Sequence, residues 1–157
     1  MNSEHLIEIA IKLATGEGTK PRQAELRRAI STAYYGMFHS ACKTYADILA
    51  GTSPSDRNDI AWIQAYRSLS HHQILSCCTR KDIQQDFPPA IRKFCREFSS
   101  LQLMRFTADY NPDETFYRSL VLKDIRKAEN AIIDFNSAKL SDRKAFVTFA
   151  STIRRKS

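Results

Sequence analysis

Apolar positions recur at helical spacing along almost the whole chain, and they fall into six stretches separated by a small number of breakers. Leu6, Ile7, Ala10, Ile11 and Leu13 predict a first helix over Ser3 to Thr15, closed by Gly16 and Gly18. A second begins near Pro21, a good first helical position, and runs to Ala50, where Gly51 and Pro54 stop it. Ile60, Trp62, Ile63, Tyr66, Leu69 and Ile74 predict a third helical stretch that closes near Cys78. Pro88-Pro89 opens a fourth, which carries Ile91, Phe94, Cys95, Phe98, Leu101 and Gln102 as far as Arg105, ahead of the Asn111-Pro112 break. A fifth, capped by Asp113 or Thr115, buries Phe116, Leu120, Val121, Ala128, Ala131, Ile132 and Phe135. A short sixth spans Asp142 to Arg155. Successive helices with short links predict an all-α, up-and-down antiparallel bundle of about five core helices plus a short C-terminal one. Residues 1–140 make up the bundle and 141–157 a basic C-terminal helix or tail of the same domain.

The second helix carries different chemistry on its two sides. At about 100° per residue, Leu26, Ile30, Ala33, Tyr34, Met37, Ala41, Tyr45 and Ile48 gather on one apolar side. Arg28, Ser31, Thr32, Tyr35, His39 and Cys42 gather on the other. A column of cation, hydroxyls, phenol and imidazole differs from the Lys and Glu of an ordinary solvated face. It reads either as half-buried packing or as a groove or self-association surface built from those groups.

Composition narrows the class. A chain of 157 residues, 43% hydrophobic and 26% charged, with four Gly and five Pro, suits one helical domain with its own core. It lacks an apolar run of bilayer length, and Asn2-Ser3-Glu4-His5 is wrong for a secretory signal, so a cytoplasmic location is expected. Cys42, Cys77, Cys78 and Cys95 form no C-x-x-C pair and read as reduced packing residues. A zinc site from His71, His72, Cys77 and Cys78 is disfavoured, because adjacent residues on one helix point about 100° apart, and no metal is expected. The net charge of +7 calls for an acidic partner, and +4 of it lies in residues 141–157. Nucleic acid fits that tail, as does the carbonyl end of any helix.

The chain has no phosphate loop of the Walker type, no G-x-S-x-G, no H-E-x-x-H and no dinucleotide fingerprint. No cofactor is expected. What remains is Leu101 to Pro112, where Arg105, Asp109 and Tyr110 arrive together at a helix end. Arg105 and Asp109 form either a structural ion pair or a cation set to face a phosphate.

Two patterns in order, Arg28-x-x-Ser31-x-x-Tyr34-Tyr35-x-x-Phe38-His39 and Arg105-x-x-Ala108-Asp109-Tyr110-x-Pro112, resemble the HEPN superfamily (higher eukaryotes and prokaryotes nucleotide-binding). The resemblance covers residues 3–136, including the Gly-rich break after the first helix and the amphipathic helix after the Asp-Tyr-x-Pro turn. It implies a helical bundle that forms a homodimer and binds RNA or a nucleotide. It also implies a place in a bacterial toxin–antitoxin or phage-defence system, either as partner of a small nucleotidyltransferase or as a metal-independent endoribonuclease toxin.

The nuclease branch carries an Arg followed shortly by a His near the start of the last core helix. Arg105 matches that Arg, but Tyr110 stands where the nearest His would be. Metal-free RNA cleavage needs a group that moves a proton near neutral pH and a cation for the phosphate. A His with its ordinary pKa of about 6.5 suits the first task, and a Tyr at about 10 does not. Binding without cleavage is therefore the leading expectation, through Arg28, Ser31, Tyr35, His39 and Arg105. The alternative is a ribonuclease using Arg105 with Asp109 and Tyr110, or with His71 or His72 brought in from the third helical stretch. The nuclease pattern has a literal match at Arg67 and His71-His72, at about the frequency chance allows. A third reading is a non-catalytic helical adaptor with no nucleic-acid role.

Overall fold

A computed structural model describes residues 1–155, which form eight α-helices and, among those residues, no strand. The first prediction holds to the residue: α1 is Ser3–Thr15. Asn2 Oδ1 accepts from the Glu4 backbone N–H at 2.9 Å to start it, and Gly16, at φ 70°, ends it in the left-handed region that favours glycine. The next helix, α2, is Gln23–Ala50; Arg22 is its cap, so Pro21 lies just outside rather than at the first helical position, and Glu25 Oε2 accepts from the Arg22 N–H at 2.7 Å.

The stretch predicted as one helix from Ile60 to Cys78 is two, α3 (Asp59–Ser68) and α4 (His71–Thr79). Ser70 forces the break. Its Oγ accepts from the Gln73 N–H at 3.2 Å while Gln73 Oε1 accepts from the Ser70 N–H at 2.8 Å, a reciprocal cap that starts a new helix at His71. Ile60 and Ile63 on α3 are exposed rather than core. A one-turn α5 (Lys81–Gln84) then leads to α6, Pro89–Tyr110, which runs five residues past the predicted Arg105.

Neither Asp113 nor Thr115 caps the next helix. α7 is Arg118–Ser137, with Tyr117 at its cap position; Phe116 precedes it and is half-buried, and Leu120 is exposed. The last helix, α8, is Leu140–Ser151, so the expected extent to Arg155 is shortened; Lys156, one of the expected tail cations, lies outside the described residues.

Helix α2 is the axis of the bundle and packs against α1, α3, α4, α6, α7 and α8. The two-sided reading of this helix is corrected accordingly. Ser31, Thr32 and Cys42, expected on a groove-facing side, are buried with the apolar residues. Thr32 Oγ1 donates to the Arg28 carbonyl at 2.7 Å, the local solution for a hydroxyl with no water to reach. Four aromatic rings form one cluster of the core. Phe94 lies 4.3 Å from Phe135 and 5.7 Å from Phe146, and Phe135 lies 5.2 Å from Phe146, all fully buried; Phe87 closes the cluster at 6.4 Å from Phe146.

Phe146, Val147 and Ala150 make α8 a wall of the core. The segment 141–157 is thus more than a basic appendage, and deleting it removes core as well as charge. All four cysteines are free and buried, and burial pushes the Cys42 and Cys77 thiols up to about 12, which leaves those two as unreactive packing groups. No helix among the described residues is long and apolar enough to cross a membrane.

Candidate anion-binding site

The last turns of α6 carry Arg105 and Asp109 on one face, four residues apart, and the middle of α2 meets that face. Arg105 Nε donates to Asp109 Oδ2 at 3.1 Å, and Ser31 Oγ donates to Asp109 Oδ1 at 2.6 Å, so both carboxylate oxygens are engaged. An Arg105 terminal nitrogen donates to the Tyr35 hydroxyl at 3.4 Å, and the guanidinium carbon lies 5.4 Å from the ring centres of both Tyr34 and Tyr35. The pair is partly sheltered: 24% of the Arg105 side chain and 31% of that of Asp109 are exposed.

His71 joins this cluster from α4. Because the helix restarts at Ser70, His71 occupies its first position, and the ring stacks on Phe38 at 3.8 Å between planes 13° apart. Its Nδ1 is 2.6 Å from the Tyr34 hydroxyl. Tyr34 is fully buried, and burial pushes its phenol well above the usual tyrosine range, so it stays protonated. A buried hydroxyl needs an acceptor, and His71 Nδ1 is the partner it has among the described residues. Tyr34 therefore donates to Nδ1, and neutral His71 carries its proton on Nε2. Burial, and after it the Arg105 charge, lower the His71 pKa below its ordinary 6.5, which keeps the ring neutral at pH 7.

A second imidazole lies beside the first. His39 Nδ1 is 2.6 Å from the Tyr66 hydroxyl on α3, the two rings stack at 5.7 Å, and the Tyr35 ring is 6.2 Å away. Burial lowers the His39 pKa and pushes the Tyr66 phenol up to about 12, so here too the phenol supplies the proton.

Of the residues expected from the sequence, Ser31, Tyr35, Arg105 and Asp109 are bonded into one cluster, and His39 and His71 stand against it. Three others stay outside. Tyr110 is 66% exposed and packs on Phe106 at 5.1 Å. His72 and Arg28 are exposed, and no hydrogen bond or ion pair among the described residues ties either to Arg105. Arg67, which begins the literal nuclease match, is exposed on α3.

The sequence reading missed Arg27, which holds the site's backbone. Its guanidinium donates to the carbonyls of Ala108 at 2.8 Å, Asn111 at 2.7 Å and Glu114 at 2.5 Å, with a longer contact to Pro112 at 3.4 Å. These are carbonyls at or beyond the end of α6, where the helix itself supplies no donor. Gln23 completes the clamp: its amide accepts from the Phe116 N–H at 2.8 Å and donates to the Phe116 carbonyl at 2.7 Å. Together the two residues fix the turn that carries Asp109 and, one helical turn earlier, Arg105.

Among the described residues, no group of three His, Cys, Asp or Glu is arranged to hold a metal ion. A search of protein-family models, of curated proteins and of solved structures finds no match to this chain.

Proposed function

We propose that the protein is a HEPN-type module that binds RNA or a nucleotide by its phosphate, with Arg105 as the central contact. The observation that carries this reading is the polarity of the cluster. Arg105 is a permanent cation, neutral His71 offers Nε2–H, and the Tyr35 hydroxyl, which accepts from Arg105, keeps its own proton to donate. Asp109, the one anionic acceptor, has both oxygens occupied. A cluster of three donors, one of them a cation, around a carboxylate already bonded through both oxygens suits an oxyanion such as a phosphodiester, and charge-assisted bonds to it are the strong ones.

Metal-independent endoribonuclease activity is the second reading, and the proximity of His71 to Arg105 favours it. His71 of α4 would stand in for the imidazole missing from the end of α6. Its tautomer suits an acid, because the nitrogen that would take a proton from a 2′-hydroxyl already accepts from Tyr34. With that nitrogen already engaged, binding is the better reading. The homodimer, and the toxin–antitoxin or defence setting with a nucleotidyltransferase partner, remain parts of the proposal. A strip of exposed Leu103, Phe106, Tyr110, Tyr117 and Leu120 along α6 and the start of α7 suits such an apolar contact.

Incubating a labelled RNA with the protein in excess chelator separates the two readings. The RNA is expected to stay intact. Products ending in a 2′,3′-cyclic phosphate, absent with folded Arg105→Ala and His71→Ala, would establish the nuclease instead.

A further inference from the structure

We infer that the binding surface continues from Arg105 along the outer edge of α2 and α3 to a second cationic site, so that its ligand is a single-stranded chain of phosphodiesters rather than a mononucleotide. This rests on the reading of Arg105 given above. The far site is a cavity of about 620 Å³ lined by Lys43, Arg57, Trp62 and Arg143, with Ser40 and Thr44 of α2 as a hydroxyl floor. It is of the size that holds small ligands. A row of half-buried rings joins the two sites. From Tyr35 beside Arg105 the steps are 6.2 Å to His39, 5.7 Å to Tyr66 and 5.1 Å to Trp62, and the Arg57 guanidinium sits 4.2 Å over the Trp62 ring.

The charges of the cavity are arranged for an anion. Lys43 and Asp47 cancel within the fold, Lys43 Nζ donating to Asp47 Oδ2 at 2.6 Å and Trp62 Nε1 to its Oδ1 at 2.8 Å, so the cations left for a ligand are Arg57 and Arg143. Arg57 is tethered through Nε to Asp59 at 2.9 Å, and Arg143 through Nε to the Ala138 carbonyl at 3.1 Å. In both, the terminal guanidinium nitrogens are without a protein partner among the described residues, and these are the atoms that grip a phosphate in pairs. Glu4 at the rim is the remaining acid.

The test compares a diribonucleotide with a single strand on the order of eight nucleotides, within the site sizes of single-strand-binding folds. The protein is used as wild type, as Arg105→Ala, and as the double variant Arg57→Gln/Arg143→Gln, whose side chains are half-buried. Thermal melting checks that each variant is folded. The double variant is expected to bind the longer strand about tenfold more weakly at low salt and the dinucleotide as wild type does. Its slope of log affinity against log salt should be shallower by about 0.7 for each phosphate it no longer neutralises. Arg105→Ala should weaken both ligands. If the double variant binds the longer strand like wild type, or loses the dinucleotide equally, the extended track is overturned while the Arg105 site stands. If Arg105→Ala affects neither ligand, the Arg105 reading falls and takes the track with it.

Discussion

Phe146→Ala is expected to cost about 3–5 kcal/mol of folding stability, the usual penalty for emptying a ring-sized space in a packed core. Phe146 is fully buried against Phe94, Phe135 and Phe87, rings contributed by α6, by α7 and by the segment before α6. No water fills an apolar hole of that kind, and close packing prevents the neighbours from collapsing into it completely. Truncation after residue 140 goes further, because it removes Val147 and Ala150 as well. Domains of this size have a margin of about 5–15 kcal/mol, so the truncated chain should be largely unfolded or expanded. Urea unfolding followed by circular dichroism reads both variants. A truncated chain with an unchanged midpoint would show that α8 is an appendage and would restore its reading as a charged tail.

The second large effect is expected at Arg27. Removing its guanidinium leaves the carbonyls of Ala108, Asn111 and Glu114 without their donor, and a hydrogen bond to a charged group contributes about 1.5–3 kcal/mol. Some of those carbonyls will find water, so the expected loss for Arg27→Ala is about 3 kcal/mol rather than the full sum. The same variant should impair phosphate binding, although Arg27 is part of the clamp and not of the donor cluster, because the freed turn no longer holds Asp109 against Arg105 and Ser31. Arg27→Lys should recover little of either property, since one ammonium cannot reach carbonyls that a planar fork spans. Urea unfolding and an RNA titration, run on the same preparations, check both effects. Wild-type binding by Arg27→Ala would separate the clamp from the site.

Much of the helix plan was legible because its signals are local. Asn2 and Gly16 bracket α1, and Pro21 and Gly51 bracket α2, within a turn of the ends they produce. The break inside the third stretch was also written locally. Ser70-x-x-Gln73 is a capping-box pattern, but the apolar spacing carries on across it from Leu69 to Ile74. Overlooking it left His71 in mid-helix, whereas the cap puts it at a helix start facing Tyr34 and Phe38.

The site itself depends on tertiary placement. Arg105, Asp109, Tyr35 and Ser31 could be named because each lies in a recognisable pattern, but their hydrogen bonds cross from α6 to α2, 70 and 78 residues apart in sequence. Arg27 belongs to no pattern, and its partners lie 81 to 87 residues away. Basic residues in and just beyond α8 masked its core face: Phe146, Val147 and Ala150 are spaced as one helical stripe between Lys144 and Arg154.

The central claim is that Arg105 anchors a phosphate of RNA in a cluster of donors that binds and does not cut. Its most direct test is the titration of a short single-stranded RNA, in chelator and at low salt, into wild type and Arg105→Ala. Wild type is expected to bind with an affinity that falls as salt rises, and to leave the RNA intact. The variant, still folded, is expected to bind more weakly by about 1.5–3 kcal/mol, roughly ten- to a hundredfold in affinity. Equal binding by the folded variant would contradict the claim.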